Sequence, residues 1–225
     1  LVPMTASTPI PFDDMAAYSL AGLKIMMNVV KTGVQISTED FKSAVKYSEE
    51  NRVSFIPADI NLANADYYLS SALSRETVLR RILTEENVAE YDYVLIDCLP
   101  SLGILLTNAL TVSDYILIPV QTQKFALDGL AMLTNIFDLV KNNTNSKLSL
   151  LGVLSTMVDS TNMSKAVLEK LSERYGNKMF DTVIHKSVEA ANSSEKSKSL
   201  CLYKSKLGEE YKALAEEVIK RSSMK

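Results

Sequence analysis

The chain has 225 residues, of which 47% are hydrophobic and 23% charged, and this composition excludes a wholly disordered protein. The net charge of −3 excludes a globally basic nucleic-acid binder. Residues 186–225 nevertheless hold nine Lys or Arg and six Asp or Glu, so this C-terminal segment is locally basic.

Hydrophobic periodicity predicts a series of helices and strands. After an irregular stretch at 1–12, the predicted helices lie at 13–33, 38–47, 59–73, 75–88, 127–140, 167–175 and 207–218. The predicted strands lie at 53–57, 93–97, 115–120, 148–155 and 180–184. Continuous apolar strands that alternate with amphipathic helices are typical of an α/β fold. We therefore predict a doubly wound, mostly parallel sheet with helices on both faces.

Within this sheet we expect residues 93–97, 115–120 and 150–156 to be neighbouring parallel strands. No linker or composition shift divides the chain, so a single domain is predicted. In it, residues 1–50 form an irregular and helical N-terminal segment, and 51–225 form the α/β domain.

Open α/β sheets bind ligands at the carboxyl ends of their strands. Here those ends carry Asp97, Gln121, the turn at 156–159 and His185. Asp97 follows three apolar residues, and an acid in that place can hold Mg²⁺ through water in a phosphate site. The alternative is that Asp97 only caps the next turn.

The two cysteines and the single histidine cannot form a zinc site of the usual kind. A phosphate-binding loop of the form G-x-x-x-x-G-K-[ST] is also absent from these 225 residues. The seven glycines stand at positions 22, 33, 103, 129, 152, 176 and 208, and the nearest two are 11 residues apart.

The run YDYVLIDCLPSLG at 91–103, followed by Asn-Ala-Leu at 108–110, resembles the Walker B region of the ParA/Soj partition ATPases. These are deviant P-loop ATPases related to MinD. Further segments resemble the family in order along the chain: FIPADINLA at 55–63, SRET at 74–77, IPVQ at 118–121, ALDGL at 126–130, GVLSTMVD at 152–159 and VIHKSV at 183–188. The resemblance covers roughly residues 50–220, and several ordered motifs together make it specific.

The resemblance implies ATP and Mg²⁺ as cofactors. It implies that Asp97 assists the metal ion during attack of water on the γ-phosphate. It places Gln121 in a switch region, and Met157, Asp159 and His185 on the base side of the nucleotide. Each of the four has a simpler interpretation as a strand-end, core, turn or surface residue.

The resemblance also implies a cytoplasmic, nucleoid-associated homodimer that works with a ParB-like centromere-binding partner and with nonspecific DNA. The candidate DNA-binding residues are Lys196, Lys198, Lys204 and Lys206, which could instead be simply solvated. No membrane role is expected, because four acidic residues lie between 207 and 225.

Several positions depart from the family pattern. Leu99 replaces a proline, His185 stands where the family has proline near the adenine, and residues 189–195 lack the usual Pro and Gly. The absence of the phosphate-binding loop predicts that the first βαβ unit is missing and that ATP binds weakly. The alternatives to a partition ATPase are a non-catalytic truncated paralogue that binds DNA or protein, and a MinD-like regulator.

Overall fold

The computed structural model describes residues 36–58, 65–70, 72–98, 101–123, 126–196 and 198–223. The described residues fall into two compact units, which run from 36 to 113 and from 114 to 223. The predicted helix at 13–33 and the irregular stretch at 1–12 lie outside the described residues, and the single-domain organisation stays a prediction.

The first unit begins with a short helix and a hairpin. Helix α1 (Thr38–Ala44) starts at Ser37, whose hydroxyl accepts a hydrogen bond from the Asp40 N–H at 3.1 Å. Strand β1 (Lys46–Ser48) pairs antiparallel with β2 (Val53–Phe55). The strand predicted at 53–57 is therefore confirmed over three residues, while the helix predicted at 38–47 ends at Ala44.

The remaining helices of this unit are short and surround one apolar core. They are α2 (Ala65–Leu69), a 3₁₀ turn (Arg75–Thr77), α3 (Val78–Ile82), α4 (Glu85–Val88) and α5 (Ile104–Val112). Phe41, Leu69, Val78 and Ile82 are buried in the core, and Ile104 of α5 packs against it. The sequence predicts helical segments at 59–73 and 75–88. In the described parts of these ranges the structure has several short helices instead of two longer ones.

Residues 93–98 form neither helix nor strand, so the prediction of a strand at 93–97 is wrong. The side chains of Tyr93, Val94 and Leu95 are 48%, 45% and 50% exposed. A parallel strand is stable where both of its faces are covered. Among the described residues of this unit the β1–β2 hairpin is the one strand ladder, and 93–98 has no place in it.

The second unit is built on two parallel strands. Strand β3 (Tyr115–Gln121) pairs with β4 (Ser149–Thr156), in a register that sets Tyr115 opposite Ser149 and Gln121 opposite Thr156. Helix α6 (Ala126–Asn143) connects them, and α7 (Asn162–Tyr175) follows β4. The parallel pairing predicted for 115–120 and 150–156 is confirmed.

The chain then returns along β4 without forming the strand predicted at 180–184. The Phe180 N–H donates to the Val153 carbonyl, and the Ile184 N–H donates to the Ser155 carbonyl. The returning segment therefore advances four residues, from Phe180 to Ile184, while β4 advances two, from Val153 to Ser155. The two extra residues bulge away from β4. The bulge exists because the N–H groups of Asp181 and Thr182 donate to the Glu217 carboxylate instead, both at 2.9 Å.

Glu217 belongs to the last helix, which completes this unit. After α8 (Val188–Lys196) and a 3₁₀ turn (Leu200–Leu202), α9 runs from Lys206 to Ser222. Leu207 and Leu214 of α9 are buried in the same core as Leu117, Leu154 and Phe180. No described helix combines the length and the hydropathy that a membrane-spanning segment requires.

Candidate functional site

Strands β3 and β4 end side by side, so their carboxyl ends lie at the same edge of the second unit. Gln121 and Thr156 are register partners, and the next residue, Thr122, donates its N–H to the Thr156 carbonyl at 3.2 Å. Gln121 is exposed at this edge. The structure therefore places the predicted switch residue beside the turn that carries Met157 and Asp159.

Met157 begins that turn in a left-handed backbone conformation. Its φ is 53°, and its side chain is 40% exposed. A residue with a Cβ in this region costs about 1–2 kcal/mol, so the surrounding contacts must hold the turn.

Asp159 lies in the same turn as an ionised, exposed carboxylate. Its Oδ1 accepts hydrogen bonds from the Thr161 hydroxyl at 2.6 Å and the Thr161 N–H at 3.0 Å. These bonds lower the pKa of Asp159, and the nearby Lys186 lowers it further. The Thr161 hydroxyl also accepts from the Ser164 N–H and so caps the start of α7.

His185 is held by Glu210 of α9 through two hydrogen bonds. The His185 N–H donates to Glu210 Oε2 at 2.9 Å, and ring Nδ1 lies 2.8 Å from Glu210 Oε1. Since an ionised carboxylate only accepts hydrogen bonds, we assign the proton to Nδ1. In the neutral ring, Nε2 is then a hydrogen-bond acceptor. Lys206 Nζ lies 3.9 Å from the same Glu210 oxygen.

These groups line a shallow cavity of about 370 Å³. It brings together Asp159 and His185, the two polar residues predicted on the base side, although 26 positions separate them in the sequence. Lys206, which was predicted to contact DNA, lies in the same lining with Lys186 and Glu210. Met157 and Gln121 are not among its lining residues. Met157 precedes the lining residue Val158 in the chain, and Gln121 lies opposite Thr156 at the end of β3.

Asp97 lies in the first unit, which runs from residue 36 to residue 113. It is exposed, in the irregular stretch that replaces the predicted strand. Burial raises the pKa of the adjacent Cys98 thiol to about 11, and the Asp97 charge adds to this, so the thiol is protonated and unreactive at neutral pH. Among the described residues no group of three or more His, Cys, Asp or Glu could hold a metal ion.

The four candidate DNA lysines lie within one stretch of the second unit. Lys196 is the last residue of α8, and its side chain is outside the described part of the structure. Lys204 is exposed, Lys198 is half-buried, and the side chain of Lys206 is 78% exposed. The described part of this stretch shows no arrangement that singles them out for DNA.

Sequence reasoning missed three residues of this edge: Glu210, Ser164 and Thr122. Glu210 binds a partner 25 positions away, and Ser164 Oγ donates to Thr122 Oγ1 across 42 positions. A capping signal at Thr161, three residues before Ser164, was the one local clue, since Thr is a favoured helix N-cap.

Comparison with known proteins identifies the family. A family model described as an AAA domain matches residues 14–150, a range that begins within the N-terminal segment. The chain is 39% identical over 188 residues to the sporulation initiation inhibitor protein Soj of Bacillus subtilis, covering 82% of this chain and 74% of Soj. It is also 39% identical over 173 residues to the chromosome partitioning protein ParA of Myxococcus xanthus, covering 76% of this chain and 61% of that protein.

Solved structures agree on the fold. Cobyrinic acid a,c-diamide synthase from Mycobacterium smegmatis, with bound ATP analogue and magnesium, superposes with a TM-score of 0.70 at 30% identity, over 81% of this chain and 68% of that chain. A complex of Cyanothece McdA with ATP gives a TM-score of 0.67 at 22% identity, over 88% of this chain and 75% of that chain, and so supports the fold. The chain has an α/β P-loop NTPase-like fold and belongs to the ParA/Soj family of partition ATPases, within the MinD/ParA group.

Proposed function

We propose that this chain is a partition protein that acts in the ATP-dependent segregation of plasmid or chromosomal DNA with a ParB-like partner. The observation that carries the proposal is the cavity at the carboxyl end of β4, where Asp159 and His185 converge. This is the edge at which α/β sheets bind nucleotides.

The residues of this cavity fit a purine base. The exposed carboxylate at Asp159 suits the exocyclic amino group of adenine, and the His185 ring lies in the same lining. Met157, which is partly exposed and belongs to the same turn as Asp159, has a side chain that suits contact with the flat face of a base. These residues would bind and orient the base.

A phosphate-binding loop of the form G-x-x-x-x-G-K-[ST] is absent from these 225 residues. Seven widely spaced glycines cannot form a loop of backbone N–H groups around a triphosphate. Asp97 would assist a Mg²⁺ ion, which when bound neutralises phosphate charge, but one exposed carboxylate cannot replace the loop.

Isothermal calorimetry with ATP and Mg²⁺ tests the nucleotide part of the proposal. Weak binding, with a dissociation constant near the millimolar range, is expected from base contacts alone, about −4 kcal/mol. The double variant Asp159→Asn, His185→Ala should abolish it. A low micromolar constant for the wild type would show that other residues of this chain bind the phosphates.

The DNA part of the proposal depends on the basic segment 186–225. Binding should be independent of base sequence and should weaken with salt, because each neutralised phosphate steepens the log K against log salt slope by about 0.9. Changing Lys196, Lys198, Lys204 and Lys206 together to Glu should abolish retention of a duplex on a gel.

A matched control carries the same change in charge at four exposed lysines outside this segment. These are Lys42, Lys147, Lys165 and Lys170. If both quadruple variants lose DNA equally, net charge rather than this segment explains binding. If the variant at Lys196, Lys198, Lys204 and Lys206 still retains DNA, the DNA-binding site lies elsewhere in the chain.

A non-catalytic role is the second candidate, because the phosphate-binding motif is missing from these residues. DNA retention without measurable ATP turnover would favour it. DNA binding that strengthens with ATP would favour the partition ATPase, in which a nucleotide-bound homodimer is the expected DNA-binding form.

A further inference from the structure

A chain of buried hydroxyl groups links the residues that follow β3 with the turn that follows β4. The Asp159 N–H donates to Ser164 Oγ at 3.3 Å, Ser164 Oγ donates to Thr122 Oγ1 at 2.8 Å, and Thr122 Oγ1 donates to the Met157 carbonyl at 3.3 Å. Ser164 is 1% exposed and Thr122 is 5% exposed. Each hydroxyl accepts from one of these groups and donates to the next. The series of hydrogen bonds therefore runs in one direction, from the Asp159 N–H to the Met157 carbonyl.

This hydroxyl relay ends on the strained residue of the turn. Met157 holds a φ of 53°, which persists only where neighbouring contacts outweigh its cost. The flanking backbone is fixed as well, since the Thr122 N–H donates to the Thr156 carbonyl and the Val158 N–H donates to the Ile184 carbonyl. The relay adds a side-chain hydrogen bond to the Met157 carbonyl itself.

The relay also joins two groups of candidate site residues. Thr122 directly follows Gln121 at the end of β3, while Met157 and Asp159 belong to the base-side turn. Ser164 lies in the first turn of α7 and touches both sides. A displacement of the chain at Gln121 and Thr122 therefore acts on the turn by two routes. One is the direct hydrogen bond to the Met157 carbonyl, and the other runs through Ser164 to the Asp159 N–H.

We propose that Thr122 and Ser164 are positioning residues that hold the Met157–Asp159 turn in its strained form and couple it to the end of β3. The coupling to nucleotide rests on the proposed function, because that function supplies the ligand of the turn. The coupling of the two loops does not depend on it.

Two substitutions at Thr122 separate the hydroxyl from the shape of the side chain. Thr122→Val keeps the shape and removes the hydroxyl, so Ser164 loses its acceptor and Met157 loses its donor. Thr122→Ser keeps the hydroxyl and removes the methyl group. Thr134→Val is the matched control, because Thr134 donates to Leu130 within α6 and has no part in the relay.

The first measurement is amide hydrogen exchange of Asp159 by NMR in the protein without ligand. Thr122 makes no hydrogen bond to Asp159 in the relay, so a change in exchange at Asp159 reports coupling transmitted through Ser164 or through the Met157 carbonyl. We expect Thr122→Val to speed this exchange about tenfold, the factor that corresponds to the loss of one hydrogen bond. Thr122→Ser and Thr134→Val should leave it at the wild-type rate.

The second measurement is titration with adenosine, followed by the same spectra. Thr122→Val should weaken adenosine binding about fivefold, and Thr122→Ser should restore it. If the wild type does not bind adenosine but exchange at Asp159 still accelerates, the proposed nucleotide role is wrong and the relay stands. Unchanged exchange in Thr122→Val would overturn the relay.

Folding failure is also decisive. Ser164→Ala offers a second break in the relay if Thr122→Val does not fold. If both variants unfold while Thr134→Val folds, the hydroxyls serve stability rather than positioning, and the proposal fails.

Discussion

Gly152, in the middle of β4, is a position where one added methyl group should be costly. A Cβ there would lie 2.6 Å from ring carbon Cε2 of Phe180 and 2.7 Å from the carbonyl oxygen of Lys178. The second contact is with backbone, so no side-chain rotation relieves it. The returning segment would have to move away from β4.

The magnitude of the Gly152→Ala effect follows from what that movement disturbs. Overpacking of a well-packed core costs about 1–3 kcal/mol. Phe180 is 4% exposed, and the Arg221 guanidinium lies 4.3 Å from its ring centroid, a contact worth about 1 kcal/mol. We therefore expect a loss of about 3 kcal/mol in the free energy of unfolding.

Gly129 in α6 provides the opposite case. Nothing lies within 4 Å of a Cβ at Gly129, and the residue is exposed within a helix. Gly129→Ala should stabilise the protein by about 0.5–1 kcal/mol, because alanine restricts the unfolded chain and favours the helix.

Urea unfolding followed by circular dichroism measures both variants under one set of conditions. The reasoning predicts opposite signs. An ordinary surface substitution changes the free energy of unfolding by at most about 0.5 kcal/mol. If the free energy of unfolding of Gly152→Ala lies within that range of the wild-type value, the close packing of Phe180 on β4 is refuted. A loss of stability in Gly129→Ala would contradict the helical conformation at that position.

Three further predictions concern single side chains. Asn108 is 3% exposed, donates to the Arg75 and Ile104 carbonyls and accepts from the Leu79 N–H. Asn108→Asp would bury a carboxylate against two carbonyls, so in urea unfolding it should lower the free energy of unfolding by about 4 kcal/mol, against about 2 kcal/mol for Asn108→Ala. Equal losses in the two variants would contradict this. Burial alone raises the pKa of Glu217, but the hydrogen bonds from Thr182, Asp181 and Arg221 outweigh it and lower the pKa below 4.5. This contribution to stability is present above pH 4.5 and is lost as the pH falls through the lowered pKa, so Glu217→Gln should flatten the acid limb of stability against pH; an unchanged limb would exclude Glu217 as its source. Asp97 is exposed, so Asp97→Asn should change the free energy of unfolding by less than about 0.5 kcal/mol, and a larger loss in thermal unfolding would show a structural role.

Two sequence motifs shared with the family have structural roles that their position in the chain does not reveal. Asn108, the first residue of the Asn-Ala-Leu segment, binds the carbonyl of Arg75 in the SRET segment across 33 positions. The same amide accepts from the Leu79 N–H at the start of α3, where the helix needs a partner for its free N–H groups. These motifs brace the first unit.

The sequence alone was sufficient for elements whose own periodicity defines them. The seven-residue, largely apolar run of β3, and the helical spacing of α6, α7 and α9, predicted these elements within a few residues. The pairing of β3 with β4 also followed, because an intervening helix favours a parallel crossover. Family membership followed from the order of the motifs.

The tertiary structure alone decided which apolar runs became strands and how the site was assembled. Residues 93–97 form an apolar run much like β3, but a strand needs a ladder partner, and local sequence does not encode one. Residues 180–184 bulge because a carboxylate 35 positions away takes the Thr182 N–H. His185 with Glu210, and Thr122 with Ser164, meet through hydrogen bonds between distant segments. Such bonds depend on the distance between folded elements, and periodicity along one element carries no information about that distance.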